Sequence, residues 1–178
     1  MEVRLLTTAP DDGLLAEAVG AYLGAFGQPP YREGPADGVA FAERVRRYAA
    51  ERDGFRFVVA RAGDGRVAGV CLAVLARPGD WWRDRVAAAL PPDVAARWLG
   101  SACLEVVHVA VVPDGQRQGI GHLMHDVLIA GQPAPAGVLS CHPAAVPAQR
   151  FYRKRGWTPL SDSFPAGALD FWIMARDL

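Results

Sequence analysis

The stretch LEVVHVAVVPDGQRQGIGHLMHDVLI, residues 104–129, decides the fold. Val106 to Val112 is an apolar run rich in β-branched residues and reads as a buried strand. Pro113 lacks a ladder N–H and Asp114-Gly115 favours a turn, so the strand stops there. Leu123, Met124, Val127 and Leu128 then recur at helical spacing, which predicts a helix starting near Gly119. The first N–H groups of a helix have no partner inside it, and the macrodipole puts partial positive charge there. Gly119 and Gly121 let an anion approach the backbone, and Arg117 adds a formal charge, so a phosphate group is a natural guest. An ordinary β–α turn, with glycines for packing, uses the same residues. The spacing is not GxGxxG, and no GK[ST] ending marks a P-loop.

Upstream, Val3–Thr8 reads as a first strand. Leu14, Leu15, Ala18, Val19, Tyr22, Leu23 and Phe26 mark an amphipathic helix capped by an Asp of Pro10-Asp11-Asp12. A second helix follows from about Asp37 to Arg52. Phe55–Arg61 and Arg66–Leu75 form a hairpin around Gly63-Asp64-Gly65, its second strand apolar on both faces and therefore central. Two short helices are expected in an insertion at about 77–102, carrying Trp81, Trp82 and Trp98. Downstream, Gly137–Cys141 reads as a strand, Pro147–Arg155 as a helix and Ala168–Arg176 as the closing strand. The pattern is an α/β layer fold with helices on both faces of a mixed sheet.

Val111, Pro113, Gln116, Gly119 and Gly121 stand in the pattern V-x-P-x-x-[QR]-x-x-G-x-[GA]. This resembles the acetyl-CoA motif of the GNAT superfamily of N-acetyltransferases. Ala148 to Trp157 is similar to the family's A-x-x-F-Y-x-x-x-G-F, with Phe151, Tyr152 and Gly156 in place and Trp157 for the last Phe. Val59-Ala60 and Val67-Ala68-Gly69 resemble its central hairpin. The resemblance implies one GNAT-like domain over residues 1–178, with a central sheet splayed near Val106–Val112 and Gly137–Cys141 to admit the pantetheine arm. It implies acetyl-CoA as cosubstrate, held by Val109, Ala110, Val111, Gln116, Arg117, Gln118, Gly119, Ile120, Gly121 and His122, with the Val111 amide or a neighbour as oxyanion donor.

The implied reaction is acetyl transfer to a primary amine of a small molecule or peptide, directly in a ternary complex. Glu105 matches the strand position where family members carry a base facing the amine. Tyr152 matches the tyrosine that faces the CoA sulfur as general acid. An amine of pKa near ~10 needs a base at neutral pH, and a departing thiolate gains from a donor. The plainer readings are a solvated charge for Glu105 and an aromatic packing residue for Tyr152. His108, three residues from Glu105, falls on the opposite face of a regular strand and reads as a packed, hydrogen-bonded histidine. Tyr31, Trp81 and Trp82 are candidates to border the acceptor, since aromatic side chains suit an apolar or cationic guest. Anchoring of the insertion onto the core is the alternative for the tryptophans. Ala145 departs from the family, which often has Asn there; Ser140 or Gln149 can replace it. A non-catalytic acyl-CoA-binding module on the same fold is the alternative function.

The 178 residues suffice for a sizeable core, and a formal net charge of +0 argues against broad binding to nucleic acid or anionic lipid. No apolar run reaches transmembrane length, and no membrane partner is expected. His122, His125 and Cys141-His142 lack zinc-site spacing, so no metal is expected. Cys71, Cys103 and Cys141 sit among apolar residues, which suits free thiols in a reducing cytoplasm. A homodimer is compatible with the sequence.

Overall fold

The computed structural model describes residues 1–166 and 169–178. In chain order it has β1 (Glu2–Leu6), α1 (Asp12–Phe26), α2 (Pro35–Glu51), β2 (Arg56–Arg61), β3 (Val67–Ala76), α3 (Trp81–Ala89) and α4 (Pro92–Leu99). There follow β4 (Cys103–Val111), α5 (Ile120–Ile129), β5 (Ala136–Cys141), α6 (Val146–Lys154), β6 (Thr158–Ala166) and β7 (Leu169–Asp177). The strands form a seven-stranded open mixed sheet in the order β1-β2-β3-β4-β5-β7-β6. The chain divides into two compact units, residues 1–74 with 107–132 and residues 75–106 with 133–178.

In the first unit β1, β2 and β3 pair antiparallel. Asp11 caps α1 by accepting from the Leu14 N–H at 2.8 Å. Pro35 opens α2, where a missing N–H costs nothing. Leu15, Ala18 and Tyr22 of α1 and Phe41 and Val45 of α2 pack on Phe57, Val59, Val70, Leu72 and Val74, alternate positions of β2 and β3. α5 takes the other face. Gly69 makes room for it: a Cβ there would stand 2.6 Å from the Met124 methyl and 2.8 Å from the Ala110 carbonyl oxygen. β3 is buried along its whole length, as its two-faced apolar sequence predicts.

In the second unit β4 pairs in parallel with β5 at Leu104↔Gly137, Glu105↔Val138 and Val106↔Leu139. The ladder covers three residue pairs of a nine-residue and a six-residue strand, the short junction expected of a splayed sheet. Val86, Leu90 and Leu99 from α3 and α4 pack on Val138, Ile173 and Ala175. On the opposite face Trp157, just after α6, lies against Gly137, where a Cβ would come within 2.8 Å of the indole.

The C-terminal strands require a correction. The sequence reading gave a single closing strand, Ala168–Arg176; Ala168 lies outside the described residues, and the strand runs as β7. β6, which the sequence analysis assigned to no element, carries two prolines and four polar residues in TPLSDSFPA. It is an edge strand, where a missing N–H leaves no ladder partner unsatisfied, and its register with β7 shifts beside Pro159 and Ser161.

Candidate active site

The first unit holds the glycine loop. The end of β4 presents Val109 and Val111 half-buried on either side of buried Ala110. Pro113–Gly115 then makes one 3-10 turn, closed by the Gly115 N–H to the Val112 carbonyl at 2.9 Å. Gly115 is buried here, and a Cβ would meet Ile120, Val112 and Val111 at 3.2–3.4 Å. The loop is therefore seated on an apolar plug. Its side-chain amides fold back on it. Gln116 Nε2 donates to the Val111 carbonyl at 3.1 Å, and Gln118 Nε2 to the Asp114 carbonyl at 2.6 Å. Gln116 thus braces the backbone between strand and loop.

Arg117 and Gly119 are both left-handed, with φ of 62° and 83°. Gly119 is the N-cap of α5, and a Cβ built there would meet nothing within 4 Å. The N–H groups of Ile120, Gly121 and His122 open α5 directly after this left-handed cap. Backbone donors arranged this way fit a phosphate group.

Glu105 and Tyr152 both belong to the second unit. Glu105 is buried on β4, with 5% exposure. Tyr152, 8% exposed, stands in the last turn of α6; its ring makes edge contacts with Phe151 at 5.2 Å and Trp157 at 5.8 Å. Its carbonyl accepts from the Arg155 and Trp157 N–H groups at 2.9 and 3.1 Å, which fixes the turn after the helix. Ala145 is buried. Gln149 gives its amide to the Pro143 and His142 carbonyls at 2.8 and 3.3 Å, bracing the β5–α6 loop, and Ser140 is exposed.

The paired tryptophans behave differently. Trp82 packs partly buried against the α3–α4 core, the anchoring role. Trp81 is 71% exposed, with the Arg85 guanidinium 5.0 Å from its ring centroid. All three cysteines are free and buried; burial pushes the Cys103 thiol up to about 12, with Glu105 adding to it, and the Cys141 thiol to about 11.

The first unit bears out the reading of His108 as a packed, hydrogen-bonded histidine, but the cluster around it was not visible in the sequence. Tyr31, half-buried, sits edge-on to Phe26 at 4.6 Å. Phe26, Tyr22 and Phe41 surround the His108 ring at 5.8, 5.2 and 5.7 Å. Arg44 Nη1 reaches His108 Nε2 at 2.7 Å. Burial and the Arg44 charge depress the His108 pKa to about 3. Glu33, hydrogen-bonded to Tyr22, has its pKa raised by desolvation, and the Tyr22 hydroxyl is raised for the same reason. The residues come from α1, the loop after it, α2 and β4, so no fixed spacing announces them.

Residues 96–178 match the family model described as Acetyltransferase (GNAT) domain. No curated protein matches the chain. Among solved structures, the chain is similar to the ribosomal-protein-S18-alanine N-acetyltransferase from Escherichia coli, at 16% identity and TM-score 0.63, covering 99% of this chain and 94% of that one. It is similar to the PaiA N-acetyltransferase from Thermoplasma acidophilum in complex with coenzyme A, at 13% identity and TM-score 0.60 over 100% of both chains. It also resembles an acetyltransferase of the GNAT family from Staphylococcus aureus Mu50, at 16% identity and TM-score 0.64 over 99% of each. At these identities the structural likeness carries the fold.

Proposed function

We propose that the chain is a GNAT-superfamily acetyltransferase that moves an acetyl group from acetyl-CoA to a primary amine of a small molecule or peptide: residues 96–178 match a GNAT acetyltransferase domain, and the fold agrees. The observation that carries this reading is the start of α5. There left-handed Gly119 caps the helix, and a Cβ built on it would meet nothing within 4 Å. The backbone from Gln116 to His122, with Val109, Ala110 and Val111 before it, binds the cosubstrate, and Arg117 adds charge to the pyrophosphate contact. Acetyl-CoA supplies the activated acyl group. Glu105 accepts the proton of the amine, directly or through water, and Tyr152 donates to the departing sulfur. Tyr31 and Trp81 are assigned to the acceptor, and Trp82 anchors α3 onto its own core.

An acceptor screen with acetyl-CoA, reading release of free thiol, tests the proposal. Turnover of an amine is the expected result. Tyr152→Phe keeps the ring and should slow the chemical step by roughly 10²–10⁴-fold, the range of general acid catalysis. Glu105→Gln should remove the enzyme's part of the rising limb of kcat/KM against pH. CoA binding with no amine turned over would instead support an acyl-CoA-binding module.

A further inference from the structure

His108 stands outside the catalytic roles above, yet it is held more firmly than packing requires. A guanidinium has five N–H donors and no acceptor, so the 2.7 Å contact from Arg44 obliges His108 Nε2 to accept. The ring proton of a neutral imidazole then resides on Nδ1. Protonation of Nε2 would break the contact and set two cations 2.7 Å apart. The charged and titratable groups around the ring are Arg44 from α2, Tyr22 from α1, and Glu33 and Asp37, which act on Tyr22. The carboxylate of Glu33 is engaged by the Tyr22 hydroxyl. His108 Nδ1 has no protein partner among the described residues, and the residue is half-buried against a wall made by Tyr22, Phe26 and Phe41. Tyr31 lies on the same wall through Phe26.

We infer that Arg44 locks His108 as a neutral Nδ1–H donor, and that this N–H hydrogen-bonds an oxygen of the acceptor, a carbonyl or carboxylate close to its amine. The inference rests on the assignment of Tyr31 to the acceptor. It excludes His108 as the base, because one ring nitrogen accepts from Arg44 and the other already carries the proton. Arg44 is a positioning residue: it acts through His108. A donor of this kind stays the same across neutral pH, whereas a free histidine would change charge near ~6.5 and repel a cationic amine.

Nitrogen NMR of the full chain labelled at histidine reads the lock, with the His108 signal identified by its loss in His108→Phe. The expected result is an Nδ1-protonated neutral ring that does not titrate between about pH 5 and 8. In Arg44→Gln, or Arg44→Met if the first folds poorly, the ring should titrate at higher pH than in the wild type and lose its fixed Nδ1 tautomer, while burial still holds it below the ordinary ~6.5. A wild-type ring that titrates near 6.5, or carries its proton on Nε2, overturns the lock. Recognition is read on the same signal in the presence of CoA with three probes: L-alaninamide, L-alanine and isopropylamine. The Nδ1 signal should move with the first or second and stay still with the third, and the pair decides between carbonyl and carboxylate. No movement with either oxygen-bearing probe, or equal movement with isopropylamine, overturns the recognition role. Neither reading needs turnover, so failure here is distinct from failure of acetyl transfer.

Discussion

At the scale of the residue, the His108 environment has a thermodynamic signature. Its folded pKa, about 3, lies below the ordinary imidazole value, so the unfolded chain binds this proton more readily than the folded one. The contribution is fully present above about pH 6.5 and is lost as pH falls from there toward 3. Glu33 works the other way: its raised pKa favours the folded state at low pH and loses that effect as pH rises through the folded value. Comparing variants isolates His108. Thermal midpoints of wild type and His108→Phe, measured from pH 7.5 to 5, should converge or cross as pH falls, because the variant lacks the histidine's loss. Parallel curves would show that His108 takes up its proton in the folded state as easily as in the unfolded one.

At the scale of the element, α5 matters because its first turn is the proposed anion site, and the Arg56 side chain braces its last turn. Arg56 Nε donates to the Leu128 carbonyl at 2.6 Å, and Nη2 to the Val127 and Ala130 carbonyls at 3.1 and 2.6 Å. The last carbonyls of a helix have no internal donors, and a cation suits that end of the dipole. Arg56→Met keeps much of the apolar stem and removes the donors. It should cost about 2 kcal/mol, measured by urea unfolding, since bonds to a charged donor are worth roughly 1.5–3 kcal/mol each and water replaces part of the loss. A change below about 0.5 kcal/mol would mean that solvent caps α5 equally well. The insertion shows a different limit. Its two helices were legible from Pro91-Pro92-Asp93 and the flanking prolines and glycines, but the division of labour between Trp81 and Trp82 was not. Neighbouring residues on a helix point about 100° apart, and only the packed neighbours decide which one turns inward.

At the scale of the whole molecule, ligand binding and stability are linked. If the loop before α5 binds acetyl-CoA, a concentration one hundred times the Kd should stabilise the fold by about 2.7 kcal/mol, read as a rise in thermal midpoint. Gly119→Val should abolish that rise, because a β-branched residue is strained at φ 83° and its side chain enters the space before the helix. Full stabilisation of the variant by acetyl-CoA would move the binding site elsewhere. By itself the sequence determined the strand, loop and helix around Gly119, the caps, the hairpin and the buried β3. These rest on proline, glycine and hydrophobic period, which act over a few residues and need no distant partner. Only the tertiary structure decided β6, whose prolines are tolerated because the strand lies at a sheet edge. It also decided the state of His108, whose partner Arg44 is 64 positions away. A tautomer depends on which atom stands 2.7 Å from the ring, and no local pattern in the chain encodes that distance.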